Sequence, residues 1–168
     1  MQNLIIRITQ ENDAPLGNPQ IGCFILAENL SSDFAEEFTK QAHSLNKLVL
    51  TEGENALEKY RLYQADGLIV DTTKEQAPQK ILKEIQKQAK SAIIGAICRN
   101  RRHEAMLVSE CEPDFVIFRF WRAGLETNRE LLQWYSDLFL IQCAAKIEED
   151  IDYQDIPADF IIVNDHKI

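Results

Sequence analysis

One short pattern recurs along the chain at nearly constant spacing. Asp66, Asp114 and Asp159 each follow a small residue or a proline and precede an apolar run, and they lie 48 and 45 positions apart. Two further apolar runs begin about midway between them, so that a run starts every 20–25 residues. This is the spacing of one strand followed by one crossover helix, which predicts a series of βα units.

The apolar runs predict eight strands. Runs such as residues 24–26 and 160–163 are apolar throughout, which is typical of strands covered on both faces in a parallel sheet. Five intervening segments carry apolar residues at helical spacing. The predicted strands are 4–9, 21–28, 47–52, 67–71, 92–98, 114–120, 139–145 and 159–164. The predicted helices are 33–45, 54–63, 75–90, 101–110 and 126–136.

Eight strands with regular crossovers predict a single (β/α)8 TIM-barrel domain over residues 1–168, with a doubly wound open sheet as the alternative. Two of the outer helices are expected to be missing. Residues 10–20 contain two prolines and a glycine, a composition that breaks a helix. The sequence ends four residues after the last predicted strand. We therefore predict a truncated barrel that lacks the first and last outer helices.

The two missing helices are neighbours in a closed barrel. Their absence predicts a bare side at strands 4–9 and 159–164, and an exposed apolar surface of that size is unfavourable for a monomer. A two-fold homodimer that buries this side is the expected solution. The alternative is that residues 10–20 fold over it.

Composition restricts the location and the partners. The net charge of −9 argues against nucleic-acid binding, which needs a basic face. No apolar run reaches the ~20 residues of a membrane span, and the first residues do not resemble a signal peptide, so we expect a cytoplasmic protein. The four cysteines are scattered, as expected for reduced, buried thiols without a metal site.

Residues 65–118 contain four short motifs in a fixed order: Ala65-Asp66-Gly67-Leu68-Ile69, residues 92–96, His103-Glu104-Ala105 and residues 113–118. In this order and spacing the segment resembles the thiamine phosphate synthase (TenI-like) family. It implies a phosphate-binding barrel that joins a pyrimidine diphosphate to a thiazole phosphate with Mg2+. It also implies a small phosphorylated ligand.

The positions that match the family's ligand-binding residues depart from its pattern. A Gly-Gly pair that approaches phosphate falls on Ala145 and Lys146, and side chains there obstruct such a contact. The Mg2+ ligands are not matched, so no cofactor is evident. We therefore expect a non-catalytic or repurposed homodimeric member rather than an active synthase. The other departures are at Ile25, Ala27, Asn29, Thr51, Gly53, Ile69, Asp71, Thr72, Ile117, Arg119 and Phe120.

Charged residues are predicted at the carboxyl ends of the strands, where barrels of this class hold their active sites. The catalytic candidates are Glu28, Glu52 and Asp71. Arginine forks match phosphate oxygens, so the basic residues predict an anion pocket. The alternative is a closed mouth in which acidic and basic residues neutralise one another. The anion-binding candidates are Arg99, Arg119, Lys146 and Arg122.

Other candidates are weaker. Cys98 next to Arg99 is either a reactive thiolate or, more simply, a buried thiol. Trp121 either plugs the mouth or packs as part of a lid. His43, His103 and His166 lie on distant segments without metal-ligand spacing. Three functions follow: a non-catalytic homodimer, an active transferase or anion-binding enzyme that uses the arginine-rich mouth, and a small-anion sensor.

Overall fold

The computed structural model describes residues 3–168, so residues 1 and 2 of the predicted domain lie outside the described part. Eight parallel strands close into one barrel in sequence order, as predicted. The strands are β1 (Asn3–Ile8), β2 (Cys23–Leu26), β3 (Leu48–Thr51), β4 (Gly67–Asp71), β5 (Ile93–Ile97), β6 (Phe115–Phe120), β7 (Gln142–Ile147) and β8 (Phe160–Asn164).

Five helices pack on the outside of the barrel, one in each connection from β2 to β7. Ser31 caps the first helix by accepting a hydrogen bond at its side-chain oxygen from the backbone N–H of Phe34. Pro78 begins the third helix, a position where the missing N–H costs nothing. The helices are α1 (Ser32–Ser44), α2 (Ala56–Tyr63), α3 (Pro78–Gln88), α4 (Arg102–Glu110) and α5 (Leu125–Leu138).

The truncation is confirmed. Only a short 3-10 turn, Ala14–Gly17, lies between β1 and β2, and another, Asp165–Lys167, follows β8. Within residues 3–168, the connection from β7 to β8 also contains no helix.

The predicted bare side is wrong. Ile6, Ile8 and Ile161 point outward from β1 and β8 and are fully buried. They share one apolar cluster with Leu16 from the loop after β1 and Ile156 from the loop after β7. Two loops therefore replace the missing helices, because apolar side chains on an ordered loop exclude water as well as a helix does. The homodimer stays a prediction, but it loses the argument that suggested it.

Lys47 holds the first of these loops in place. Its Nζ donates to the carbonyl oxygens of Leu16 and Asn18, both at 2.7 Å. These bonds satisfy carbonyls that a helix would have paired internally.

The seventh strand begins at Gln142 and not at residue 139 as predicted. Phe139 instead stacks on Tyr135 of α5, with ring centroids 4.7 Å apart, and contacts Trp134 edge-on. These aromatic contacts keep Phe139 at the end of the helix, and Leu140 after it is fully exposed.

The three strand-start aspartates (Asp66, Asp114 and Asp159) share one geometry. Each precedes an even-numbered strand and bonds twice to one residue of the preceding strand. The N–H of Asp114 donates to the carbonyl oxygen of Ile94 at 2.9 Å, and its Oδ2 accepts from the N–H of Ile94 at 2.7 Å. Asp66 bonds in the same way to Val49, and Asp159 to Cys143. The recurring motif therefore joins strand pairs at the bottom of the barrel.

Candidate ligand site at the barrel mouth

The barrel interior is filled by layers of side chains from alternate strands, as the two-residue period of a strand requires. The layer below the mouth comes from the even-numbered strands and consists of four isoleucines. A cavity of about 720 Å3 lies above it and opens at the carboxyl ends of the strands. The four isoleucines that form its floor are Ile25, Ile69, Ile117 and Ile162.

Arg7 and Glu52 form a two-pronged ion pair across the mouth. Arg7 Nε lies 2.8 Å from Glu52 Oε1, and Arg7 Nη2 lies 2.9 Å from Oε2. Both side chains are mostly buried, at 22% and 17% exposure. The hydrogen bond to Glu52 raises the pKa of Arg7, so the guanidinium of Arg7 is charged at any physiological pH. Arg7 also donates to Oδ1 of Asn164 at 3.3 Å.

Arg119 and Asp71 form a second pair, with 3.3 Å between Nη2 and Oδ2. Asp71 also accepts hydrogen bonds from the hydroxyl of Thr73 at 2.6 Å and from its N–H at 2.9 Å. Burial opposes ionisation of Asp71, but the Thr73 bonds and the charges of Arg119 and Lys74 outweigh it and lower its pKa. Asp71 is therefore a fixed anion and is unsuited to act as a general acid at neutral pH.

Lys146 completes the ring of cations, and its Nζ lies 3.1 Å from Glu148 Oε1. Beside it, Asp165 bonds to the start of the loop after β1. Its Oδ1 accepts from the Thr9 hydroxyl at 2.5 Å and its Oδ2 from the Thr9 N–H at 3.0 Å. These bonds hold the start of that loop, and Asp165 does not line the cavity.

Glu28 lies on the rim next to β3, and within residues 3–168 no cation forms an ion pair with its carboxylate. Glu28 is exposed, and its Oε1 accepts only a long bond of 3.4 Å from the N–H of Glu54. Gly53 makes room for it, since a Cβ at that position would lie 2.7 Å from Glu28 Cδ. Gly53 also has a φ of +97°, which favours glycine.

The structure brings five of the predicted site residues together and separates two. Arg99 turns toward Glu104, with 3.2 Å between Nη1 and Oε1, and Arg122 donates to the carbonyl oxygen of Asp150 at 2.8 Å. Neither of these arginines lines the cavity. The five that do are Glu28, Glu52, Asp71, Arg119 and Lys146.

Sequence reasoning missed Arg7 and Glu148. Arg7 alternates with Ile5 on β1, and Ile5 faces the barrel interior, so the two-residue period would have placed Arg7 at the mouth. Glu148 lies one residue beyond β7, and its role depends on where that strand ends.

The weaker candidates lie outside the cavity. Cys98 packs in the layer between barrel and helices, and burial raises the pKa of its thiol far above the ordinary range, so it is no nucleophile. Trp121 is 38% exposed and Phe120 is buried on the outer face of β6, so neither plugs the mouth.

The histidines are equally remote. His43 contacts Asp66 at the opposite end of the barrel, at 2.9 Å, and His103 is exposed at the start of α4. His166 is exposed, with its Nδ1 3.9 Å from Asp165 Oδ1.

The cavity lining offers acids, bases and aliphatic side chains, but no histidine, cysteine, serine or tyrosine. Across residues 3–168, no three His, Cys, Asp or Glu side chains are arranged to hold a metal ion, so the residues present do not fit the Mg2+ that the resemblance implies. None of the helices in this part of the chain is long and apolar enough to cross a bilayer.

Comparison with known proteins supports the fold alone. No family model and no curated protein matches the chain. A chain in the structure of the tryptophan synthase α2β2 complex from Pyrococcus furiosus matches with a TM-score of 0.72 at 11% identity, and the match covers 96% of this chain and 86% of that chain. The glycerol uptake operon antiterminator regulatory protein from Listeria monocytogenes matches with 0.67 at 15% identity, covering 98% and 94%.

Citrate synthase SbnG matches with a TM-score of 0.64 at 10% identity, covering 98% of this chain and 86% of that one. These similarities place the chain among TIM-barrel-like structures. None of the three proteins is a thiamine phosphate synthase, so the resemblance to that family stays a prediction.

Proposed function

We propose that this protein is a non-catalytic small-molecule-binding barrel, a repurposed relative of the thiamine phosphate synthases that acts in the cytoplasm. One observation carries the proposal. The mouth is open above an isoleucine floor, yet the three cations that the strands themselves place there are already paired with carboxylates: Arg7 with Glu52, Arg119 with Asp71, and Lys146 with Glu148.

The charge of the cavity favours a cationic ligand over a phosphorylated one. Its lining contains five carboxylates, one of them the exposed Glu28 at the rim, against the three cations Lys74, Arg119 and Lys146. The predicted anion site loses Arg99 and Arg122 to other partners. A phosphate would have to compete with carboxylates for Arg119 and Lys146, and the backbone cradle that would compensate is absent at Ala145 and Lys146.

The same geometry disfavours catalysis. Asp71 is held ionised, and Arg7 neutralises Glu52 through both of its oxygens. A general acid or base needs a pKa near the working pH and free access to the substrate proton. The side chains that best fit a catalytic role are therefore engaged with one another. An active enzyme of the same family is the alternative that the experiment below excludes or supports.

Binding and turnover can be measured separately on the full chain. Thermal unfolding is followed with ethylamine, inorganic phosphate and thiamine phosphate, each at equal ionic strength. We expect ethylamine alone to raise the midpoint, since a ligand at 100 times its Kd stabilises by about 2.7 kcal/mol. Glu28→Gln should reduce the shift, and Glu130→Gln, an exposed carboxylate on α5, should leave it unchanged.

Turnover is assayed with the pyrimidine diphosphate, the thiazole phosphate and Mg2+. Formation of thiamine phosphate above the background rate would overturn the non-catalytic proposal. A midpoint shift with phosphate but not with ethylamine would favour the small-anion sensor instead.

A further inference from the structure

The mouth cavity does not end at the barrel wall. Part of its lining comes from residues on the outer face of β4 and from the two helices that flank it. Leu68 and Val70 point away from the barrel axis, since they alternate with Ile69 of the floor. This outer lobe is entirely aliphatic. Its lining residues are Ala56, Leu57, Leu68, Val70, Ile81 and Ile85.

A gap in the barrel wall connects the outer lobe to the mouth. β3 and β4 pair at only two positions, Leu50 with Gly67 and Thr51 with Leu68. On its other side β4 pairs with β5 along its whole length, up to Asp71. β3 therefore ends before β4 does, and within residues 3–168 no strand pairs with the upper part of β4 on that side.

The helices leave the same region open. α2 packs against α1, and α3 packs against α4. The aliphatic side chains of Leu57 on α2 and of Ile81 and Ile85 on α3 face the cavity from the two sides. When an apolar group displaces water from such a lobe, apolar surface is buried and the free energy of binding becomes more favourable.

The two lobes differ in polarity. The outer lobe is aliphatic, whereas the inner lobe and rim carry the five carboxylates and three cations. Three of these charged residues, Glu54, Lys74 and Glu75, lie on the loops that follow β3 and β4. A ligand that fits both has a hydrophobic chain and a polar head, and the excess of carboxylates favours a positively charged head.

We propose that the occupant is a single-chain amphiphile with an ammonium head, whose head lies among the mouth carboxylates and whose alkyl chain passes between β3 and β4 into the outer lobe. This rests on the proposed function and specifies its ligand class. The volume of about 720 Å3 is within the range of cavities that hold drug-sized molecules.

A series of n-alkylamines tests the chain. Ethyl-, butyl-, hexyl- and octylamine are titrated into the full-length protein by calorimetry, below the concentrations at which they form micelles. Burial of each added methylene should tighten binding about fourfold. Octanoate and octanol, titrated in parallel, test the head, and both should bind more weakly than octylamine.

A filled outer lobe tests the location. Leu57→Trp should abolish the gain in affinity with chain length, so that octylamine binds no more tightly than ethylamine. Leu62→Trp is the matched control, because Leu62 is on the same helix, is 58% exposed and does not line the cavity. If Leu57→Trp does not fold, the chain-length series on the unmodified protein still tests whether the cavity binds an alkyl chain.

The outcomes separate this inference from the proposed function. Affinity that is independent of chain length, with ethylamine still bound, overturns the amphiphile and leaves the binding function standing. Octanoate binding as tightly as octylamine overturns the cationic head. Failure of every amine and every anion to bind overturns both.

Discussion

The two ends of the barrel use carboxylates in opposite ways. At the bottom, each strand-start aspartate accepts a hydrogen bond from a backbone N–H and returns one through its own N–H, as Asp114 does with Ile94. At the mouth, carboxylates pair with side-chain cations around an open cavity, as Asp71 does with Arg119. Backbone bonds join the strands, whereas side-chain pairs line a space. Changes at the bottom should therefore affect stability, and changes at the mouth should affect binding.

The largest expected effect is at the bottom of the barrel. In Gly67→Ala the new Cβ would lie 1.9 Å from the carbonyl oxygen of Ile93, a backbone atom in the paired strand. The β4–β5 pair has to move apart, and we expect a loss of at least about 3 kcal/mol or failure to fold.

Urea unfolding measures the loss. Gly22→Ala is the matched control, since Gly22 also lies at the start of a strand and a Cβ there meets nothing within 4 Å. Equal stability of the two variants would contradict the close packing described at Gly67.

Loss of one strand-start aspartate comes second. Asp114→Ala leaves the N–H of buried Ile94 without its 2.7 Å partner, and an unsatisfied buried donor costs about 1–3 kcal/mol. Asp66→Ala and Asp159→Ala should cost similar amounts. The control is Asp137→Ala on α5, where the carboxylate accepts a hydrogen bond only from the side chain of Gln133. It should lower the free energy of unfolding by only about 0.2–0.5 kcal/mol. Ligand binding at the mouth should be the same in all four variants.

This bottom end is also the part that the sequence predicted well. The spacing of Asp66, Asp114 and Asp159 reports directly on a repeated backbone arrangement, so strand number and order followed from it. The bare side was predicted wrongly because burial by an irregular loop has no periodicity. Leu16 and Ile156 are ordinary apolar residues in loop segments, and nothing in their neighbours indicates that they cover Ile6 and Ile161.

The mouth was predicted only in part, for a related reason. Because Glu52, Asp71 and Arg119 lie at strand ends, the sequence predicted that they share one site, and all three line the same cavity. The sequence did not indicate which cation pairs with which carboxylate, since the pairing depends on how far each side chain reaches across the barrel. The gap between β3 and β4 depends on where β3 stops, and that strand is four residues long instead of the six predicted.

The third prediction concerns the mouth. Gly53→Ala places a side chain at φ +97° and within 3.0 Å of Glu28. The strained backbone should cost about 1 kcal/mol, toward the lower end of such penalties because the loop is exposed. Displacement of Glu28 should weaken amine binding more than it lowers stability. Calorimetry with octylamine and urea unfolding measure the two effects, and a stability loss with unchanged binding would show that Glu28 is no part of the site.

The smallest expected effect is the acid sensitivity that Asp71 confers. Its pKa in the folded protein lies below the ordinary 3.8, so its ionised form stabilises the fold above that value, and the contribution is lost as the pH falls through the folded pKa. Because the side chain is 31% exposed, solvent screening keeps this contribution below about 1 kcal/mol. Asp71→Asn should therefore be less stable than the unmodified protein at about pH 6, and the difference should shrink toward about pH 3.

Urea unfolding at both pH values, with Glu130→Gln as the exposed control, measures this difference in stability. A difference that stays constant with pH would mean that the Asn substitution acts through packing and not through the charge of Asp71.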